Sequence, residues 1–353
     1  MDNKKYWRET LEPFTKKSNA IAFRQIALTV IPFVLIWLLY IETIHHSNWL
    51  VLPFSIVMSL FTLRFFVLLH DCGHGALFES VKLNKFFGYV FGVITGMPQY
   101  VWSRHHAYHH TTNGDWEKYK GPLNVKTLKE FQAMSGGDQR KYKAARHPLF
   151  LLTVGGFYYV LFNPRFTWIM GTLSVFTDIL FSLINPKIKT LTVITEWKAK
   201  YWKTPREYRH MTYNNLTLLP IWYLMCQAIG TGNFFLFYAT TLTLTGGLGI
   251  LFFTVQHNFE NSLANDTAQA DYFRAAIEGT SYLKLPAFLN WFTADIAYHH
   301  VHHLSTSVPN YQLKACHNQL KDKFTKVRRV SLTEIPGALK CMFWDTEKQV
   351  IVK

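Results

Sequence analysis

Apolar residues in this chain come in long blocks rather than in the alternating or every-third-residue stripes of a soluble fold. Phe23–Ile41 and Trp49–Leu69 are apolar runs of spanning length, and Asn214–Gly230 and Phe234–Val255 form a second pair. A bilayer core of about 30 Å needs roughly 20 such residues as helix, so the pattern predicts two membrane-spanning hairpins. Phe86–Met97 is apolar but too short to cross, which predicts a re-entrant or interfacial segment. Pro148–Ile184 is apolar again and interrupted at Asn163-Pro164-Arg165; it reads as two further spans or as a pair of interfacial helices. The expected fold class is an all-α integral membrane protein with four transmembrane helices, six if 148–184 crosses twice, and a helical cap. One domain spans 1–353, with the first hairpin over 20–69, polar or interfacial chain over 70–213, the second hairpin over 214–256 and a polar region over 257–353.

Charge orients this frame. The link Glu42–Asn48 carries no Lys or Arg, whereas Lys4, Lys5, Arg8, Lys16, Lys17 and Arg24 precede or open the first span. The positive-inside rule then puts the N-terminus in the cytoplasm. Each hairpin returns the chain to that side, so the C-terminus and all the histidine motifs described next are expected there as well. A net charge of +15 beside so much apolar chain fits a cytosolic cap facing anionic headgroups or an acidic electron donor better than nucleic-acid binding. Trp197 and Trp202 are candidate interface anchors. The first fifteen residues are polar, with no signal-peptide pattern. Cys72, Cys226, Cys316 and Cys341 form no C-x-x-C pair and read as free thiols.

The candidate chemistry lies where the blocks end. Ten of sixteen histidines fall in three clusters: His70-Asp-Cys-Gly-His74, His105-His-Ala-Tyr-His-His110 and His299-His-Val-His-His303. His70 and His74 are one helical turn apart, and His106, His109, His110 and His299, His302, His303 repeat an i, i+3, i+4 spacing that directs three rings to one side. Eight imidazoles exceed what one metal ion holds, which points to two ions. A nitrogen-rich set with room for an outside ligand suits oxygen-activating iron better than closed tetrahedral zinc. His105 and His300 are the extra members of their clusters and suit supporting or solvent-facing roles. His257, at the end of the fourth apolar block, is a candidate ninth ligand. Asp71, Asp115, Glu260 and Asp295 are carboxylates near enough in sequence to orient ligand rings.

Together, H-D-C-G-H, Trp102 followed by H-x-x-H-H-T-T-N, and H-H-V-H-H-L-S with Pro309-Asn310-Tyr311 downstream resemble the membrane fatty acid desaturases over about residues 60–312. The Asp-Cys-Gly spelling of the first box is closest to the acyl-lipid delta-12 and omega-3 branch. The resemblance implies a mushroom-shaped helical protein with two iron ions held at the cytosolic surface by His70, His74, His106, His109, His110, His299, His302 and His303. His257 matches the family's additional histidine after the last span. It further implies O2 as oxidant, an acyl-lipid substrate (or acyl-CoA or acyl-carrier), and electrons from a separate ferredoxin or cytochrome b5. An apolar channel walled by aromatic residues around the boxes and by Phe86–Met97 is expected to place the acyl chain.

Three rival classes fit the sequence less well. A hydroxylase, ketolase or alkane monooxygenase shares the first hydrogen abstraction but spells its boxes differently. A metal transporter would put its ligands inside the spans rather than at their ends. The soluble carboxylate class uses Glu-x-x-His pairs; Glu42/His45 and Glu207/His210 fit that string but lie in segments that cannot converge.

Overall fold

In a computed structural model, residues 3–353 are described apart from 45, 120, 122, 124, 186, 188, 197–200 and 203. A short amphipathic helix α1 (Asn3–Leu11) leads into α2 (Asn19–Thr43), whose first turn is capped by the Ser18 hydroxyl. Helix α3 (Val51–His74) runs back beside it and stops at Gly75, which takes the left-handed conformation at φ 67° that a side chain disfavours. The outer face of α2 leaves Ile31, Leu35 and Leu38 more than half exposed, as a lipid-facing surface does. The expected short segment is α4 (Val81–Ile94), followed after a tight turn by α5 (Gln99–Thr111). These two helices form a hairpin: α4 packs on α3, and α5 climbs back toward the C-terminal end of α3.

The chain then passes through β1 (Lys126–Thr127), α6 (Leu128–Gln132) and α7 (Gly136–Ala144) before entering α8 (Pro148–Ile184). The interruption expected at Asn163-Pro164-Arg165 does not break this helix, which is one rod of 37 residues. Its first half is wound wide, with π-helical turns over Leu151–Gly155 and Phe157–Phe162. Proline removes a backbone donor, and the carbonyl of Val160, four residues before Pro164, is served instead by Arg165 Nη1 at 3.1 Å. Gly156 lets the rod lie against the next long helix: a Cβ there would sit 1.9 Å from the Thr243 carbonyl oxygen.

After α9 (Thr190–Glu196) come α10 (Pro205–Ile229) and α11 (Thr231–His257). Among the described residues four helices are long and apolar enough to cross a membrane: α2, α3, α8 and α11. The expected span Asn214–Gly230 does form a helix within α10, but α10 is not among the four, and it buries Asn214 and Asn215. Trp202 is buried against Gly171 rather than displayed at an interface; Trp197 lies outside the described residues. The cap holds α12 (Tyr272–Glu278), α13 (Ala287–Phe292), α14 (His299–Leu304) and α15 (Asn310–Gln319). It also contains two small sheets that the helical expectation did not include. Strand β2 (Ser281–Lys284) pairs in parallel with β3 (Arg328–Ser331), and β1 pairs with β4 (Phe343–Asp345), which pairs with β5 (Val350–Val352). All four cysteines are free, as expected.

Candidate metal centre

Four helices deliver the histidines to one end of the bundle. Helix α3 ends with His70 and His74, α11 ends with His257, α5 supplies His106, His109 and His110, and α14 supplies His299, His302 and His303. Their ring nitrogens form two groups, each with its members within 4.8 Å of one another: His70, His74, His106, His110 and His302 in one, His109, His257, His299 and His303 in the other. Every residue of the nine-histidine set is thus brought together, and His257 joins the second group as fully as the box histidines do.

The division follows from helix geometry. Residues i and i+4 share a face, whereas i+3 turns about 60° to its other side. His106 and His110 therefore serve one group while His109 serves the other, and His299 and His303 part in the same way from His302.

The donor set fits metal ions. Nε2 of His302 lies 3.0 Å from Nε2 of His70 and 2.9 Å from that of His110, which is 3.0 Å from Nε2 of His106. In the second group Nε2 of His299 lies 2.9 Å from that of His257 and 3.1 Å from that of His303, which is 3.3 Å from Nε2 of His109. Metal–nitrogen bonds of about 2.1 Å at near-right angles put neighbouring nitrogens about 3.0 Å apart. Each neutral imidazole has a single N–H, and the Nδ1 atoms of His109, His110, His299 and His303 have no hydrogen-bond partner while Nε2 of His74 is likewise buried without one. Lone pairs converging in this way call for a cation between them.

Electrostatics prepares the rings for ligation. Burial, reinforced by neighbouring histidines, pushes His106, His110, His299, His302 and His303 well below the usual imidazole range, and His109 to about 3. They stay neutral at physiological pH, the state in which imidazole binds metal.

Of the four carboxylates considered, only Asp71 touches a box histidine: its Oδ1 lies 3.0 Å from His70 Nδ1, and its Oδ2 accepts from the Asn310 backbone N–H at 2.7 Å. Asp115 pairs with Lys118 and Thr267, Glu260 with Lys353, and Asp295 with Asn290. His105 is exposed, as expected for an extra member of its cluster, whereas His300 is buried and meets His317 Nδ1 at 2.9 Å. Glu207 pairs with Arg104 and His210 stacks on Tyr100, apart from both groups; His45 lies outside the described residues.

The sequence named Trp102 only as part of a motif and assigned no role to several other neighbours of the site. Trp102 stacks on His106 at 4.6 Å between ring centres, Phe253 closes on His109 at 4.9 Å and His257 at 5.0 Å, and Tyr119 stands 5.4 Å from His109. Phe253 had a visible signal, one turn before His257; Tyr119 and His317 had none.

The family model for fatty acid desaturases matches residues 47–333. A fatty acid desaturase of Bacillus subtilis is 29% identical over 343 residues, covering 97% of this chain and 87% of that one. An sn-1 oleoyl-lipid 12-desaturase of Synechocystis is 24% identical over 267 residues, 73% of this chain and 65% of that one. An endoplasmic reticulum omega-3 fatty acid desaturase of Vigna radiata is 39% identical over 72 residues, 20% of this chain and 19% of that one.

Proposed function

From the premise that the chain belongs to the fatty acid desaturase family, we propose that it inserts a cis double bond into the acyl chain of a membrane lipid. In this reading two iron ions are held by His70, His74, His106, His110 and His302 on one side and by His109, His257, His299 and His303 on the other. The two groups of converging imidazole nitrogens carry the reading. When bound, iron supplies the O2 chemistry that an unactivated C–H bond requires and that side-chain acids and bases cannot.

The chain's own residues hold, orient and exclude water. Asp71 fixes the His70 ring through Nδ1, and Trp102 fixes His106 by stacking. Phe253 and Tyr119 cover the second group on its apolar side. The acyl chain needs an apolar seat that presents one pair of carbons. A cavity of about 260 Å³ between α3, α11 and α13, lined by Leu60, Leu63, Leu248, Leu251, Phe252 and Phe292, suits that task.

Desaturation removes two C–H hydrogens, consumes one O2, two electrons and two protons, and releases two waters. The electrons come from a separate donor, a ferredoxin or a cytochrome b5. The boxes, the N-terminus and the C-terminus face the cytoplasm.

Expression in a host of defined lipid composition, followed by mass spectrometry of its acyl chains, tests the reading. Products lighter by two hydrogens, at one bond position, are expected. Products heavier by one oxygen would make the protein a hydroxylase instead.

A further inference from the structure

Resting on the reading above, we propose that the corner where α1 meets α12 and the turn between α15 and β3 is the docking port for the electron donor, an acidic one-electron carrier protein, and that Trp7, Phe324 and His300 form the path from that port to His299.

Three observations carry this. The corner holds a concavity of about 420 Å³, floored by Trp7, Phe273 and Ile277 and rimmed by Arg274, Lys323 and Lys326. A chain of touching rings leads inward from its floor. Trp7 stacks on Phe324 (6.1 Å between centres, planes 5° apart), and Phe324 meets His300 edge-on at 4.7 Å. His300 is fully buried and adjoins His299 along the backbone. A second, shorter contact leaves the same floor: Phe273 touches Tyr272, whose hydroxyl donates to the His303 carbonyl at 2.7 Å. Both routes end on box 3, the helix that feeds both histidine groups.

The surface around the concavity has the charge an acidic carrier requires. Residues 3–17, 271–278 and 314–329 together carry twelve Lys and Arg against five Asp and Glu. Both carboxylates that line the concavity are engaged: Glu278 by Arg274 at 3.0 Å and Lys326 at 2.9 Å, and Asp271 by the backbone N–H groups of Phe273 and Arg274, each at 3.0 Å. Complementary charge steers a partner and sets its orientation, with a steep dependence on salt. An anionic membrane would also be drawn to this charge, but it has no use for an aromatic floor joined to buried rings.

In each transfer the carrier's reduced centre gives up one electron and is oxidised, and the metal pair gains it; two carriers serve one turnover. The iron-loaded full chain in phosphatidylcholine nanodiscs, with an acidic [2Fe–2S] ferredoxin as probe, provides the test. Binding of oxidised ferredoxin is measured by surface plasmon resonance, and oxidation of reduced ferredoxin by stopped-flow absorbance, with iron content read for each variant. The double variant Lys323→Glu/Lys326→Glu should weaken binding about tenfold and flatten its salt dependence. Phe324→Leu should leave binding as it is and slow ferredoxin oxidation several-fold at saturation, while Phe324→Tyr restores the rate. Wild-type binding by the charge variant, or a wild-type saturated rate in Phe324→Leu, overturns the port. If the charge variant instead loses only its retention on phosphatidylglycerol vesicles, the patch belongs to lipid and the proposal falls. Wild-type protein driven by dithionite in the same discs separates the two levels: no double bond there sinks the desaturase reading itself.

Discussion

At the scale of single residues, the histidines do not contribute alike. His109 belongs to the second group, and its ring bridges to His303. His109→Ala should abolish dehydrogenation and lower bound iron well below two ions per chain, read by product analysis and elemental analysis. Asp71 joins His70 to the start of α15. Asp71→Asn keeps the shape and removes the charge, and supporting groups of this kind are worth about 10–100-fold in metal affinity or activity. Burial also sets a pH dependence for the metal-free chain. The box 2 and box 3 rings titrate below their ordinary 6.5 when folded, His109 at about 3, so the unfolded chain binds more protons as pH falls. Stability is therefore whole above about pH 6.5 and drains away below it, continuing toward pH 3. The thermal midpoint of the metal-free protein, measured between pH 8 and 5, should fall across the acidic half of that range.

At the scale of elements, what the sequence made legible was decided by which interactions are local. The i, i+3, i+4 spacing was enough to place three rings of box 2 on one side of α5 and to expose His105, because helix periodicity is a local property. The division of the second and third boxes between two positions was not legible, since it depends on where α3 and α11 stand relative to α5 and α14. Pro164 was misleading for a similar reason. A proline inside an apolar run normally ends a helix, but here π-helical winding and the Arg165 side chain absorb the missing donor. The Gly156 contact holds that wide turn against α11. Gly156→Val should therefore force the rod off α11 and cost about 1–3 kcal/mol, read as a lowered unfolding temperature in detergent. The short strands of the cap were invisible because two to four residues carry no usable period.

For the whole molecule, hydropathy blocks gave three of the four apolar spanning helices and located all nine histidines at helix ends. Orientation is the step that hydropathy and geometry leave to charge. Fluorescent-protein fusions at each terminus should glow, and a periplasmic alkaline phosphatase fused there should stay inactive; the reverse would turn the molecule over. The partition of box 2 and box 3 carries a last implication. Because α5 and α14 each reach into both positions, seating one ion organises the scaffolding of its neighbour. Iron uptake should then be all-or-none, with empty and doubly filled molecules coexisting during a titration and half-filled ones scarce.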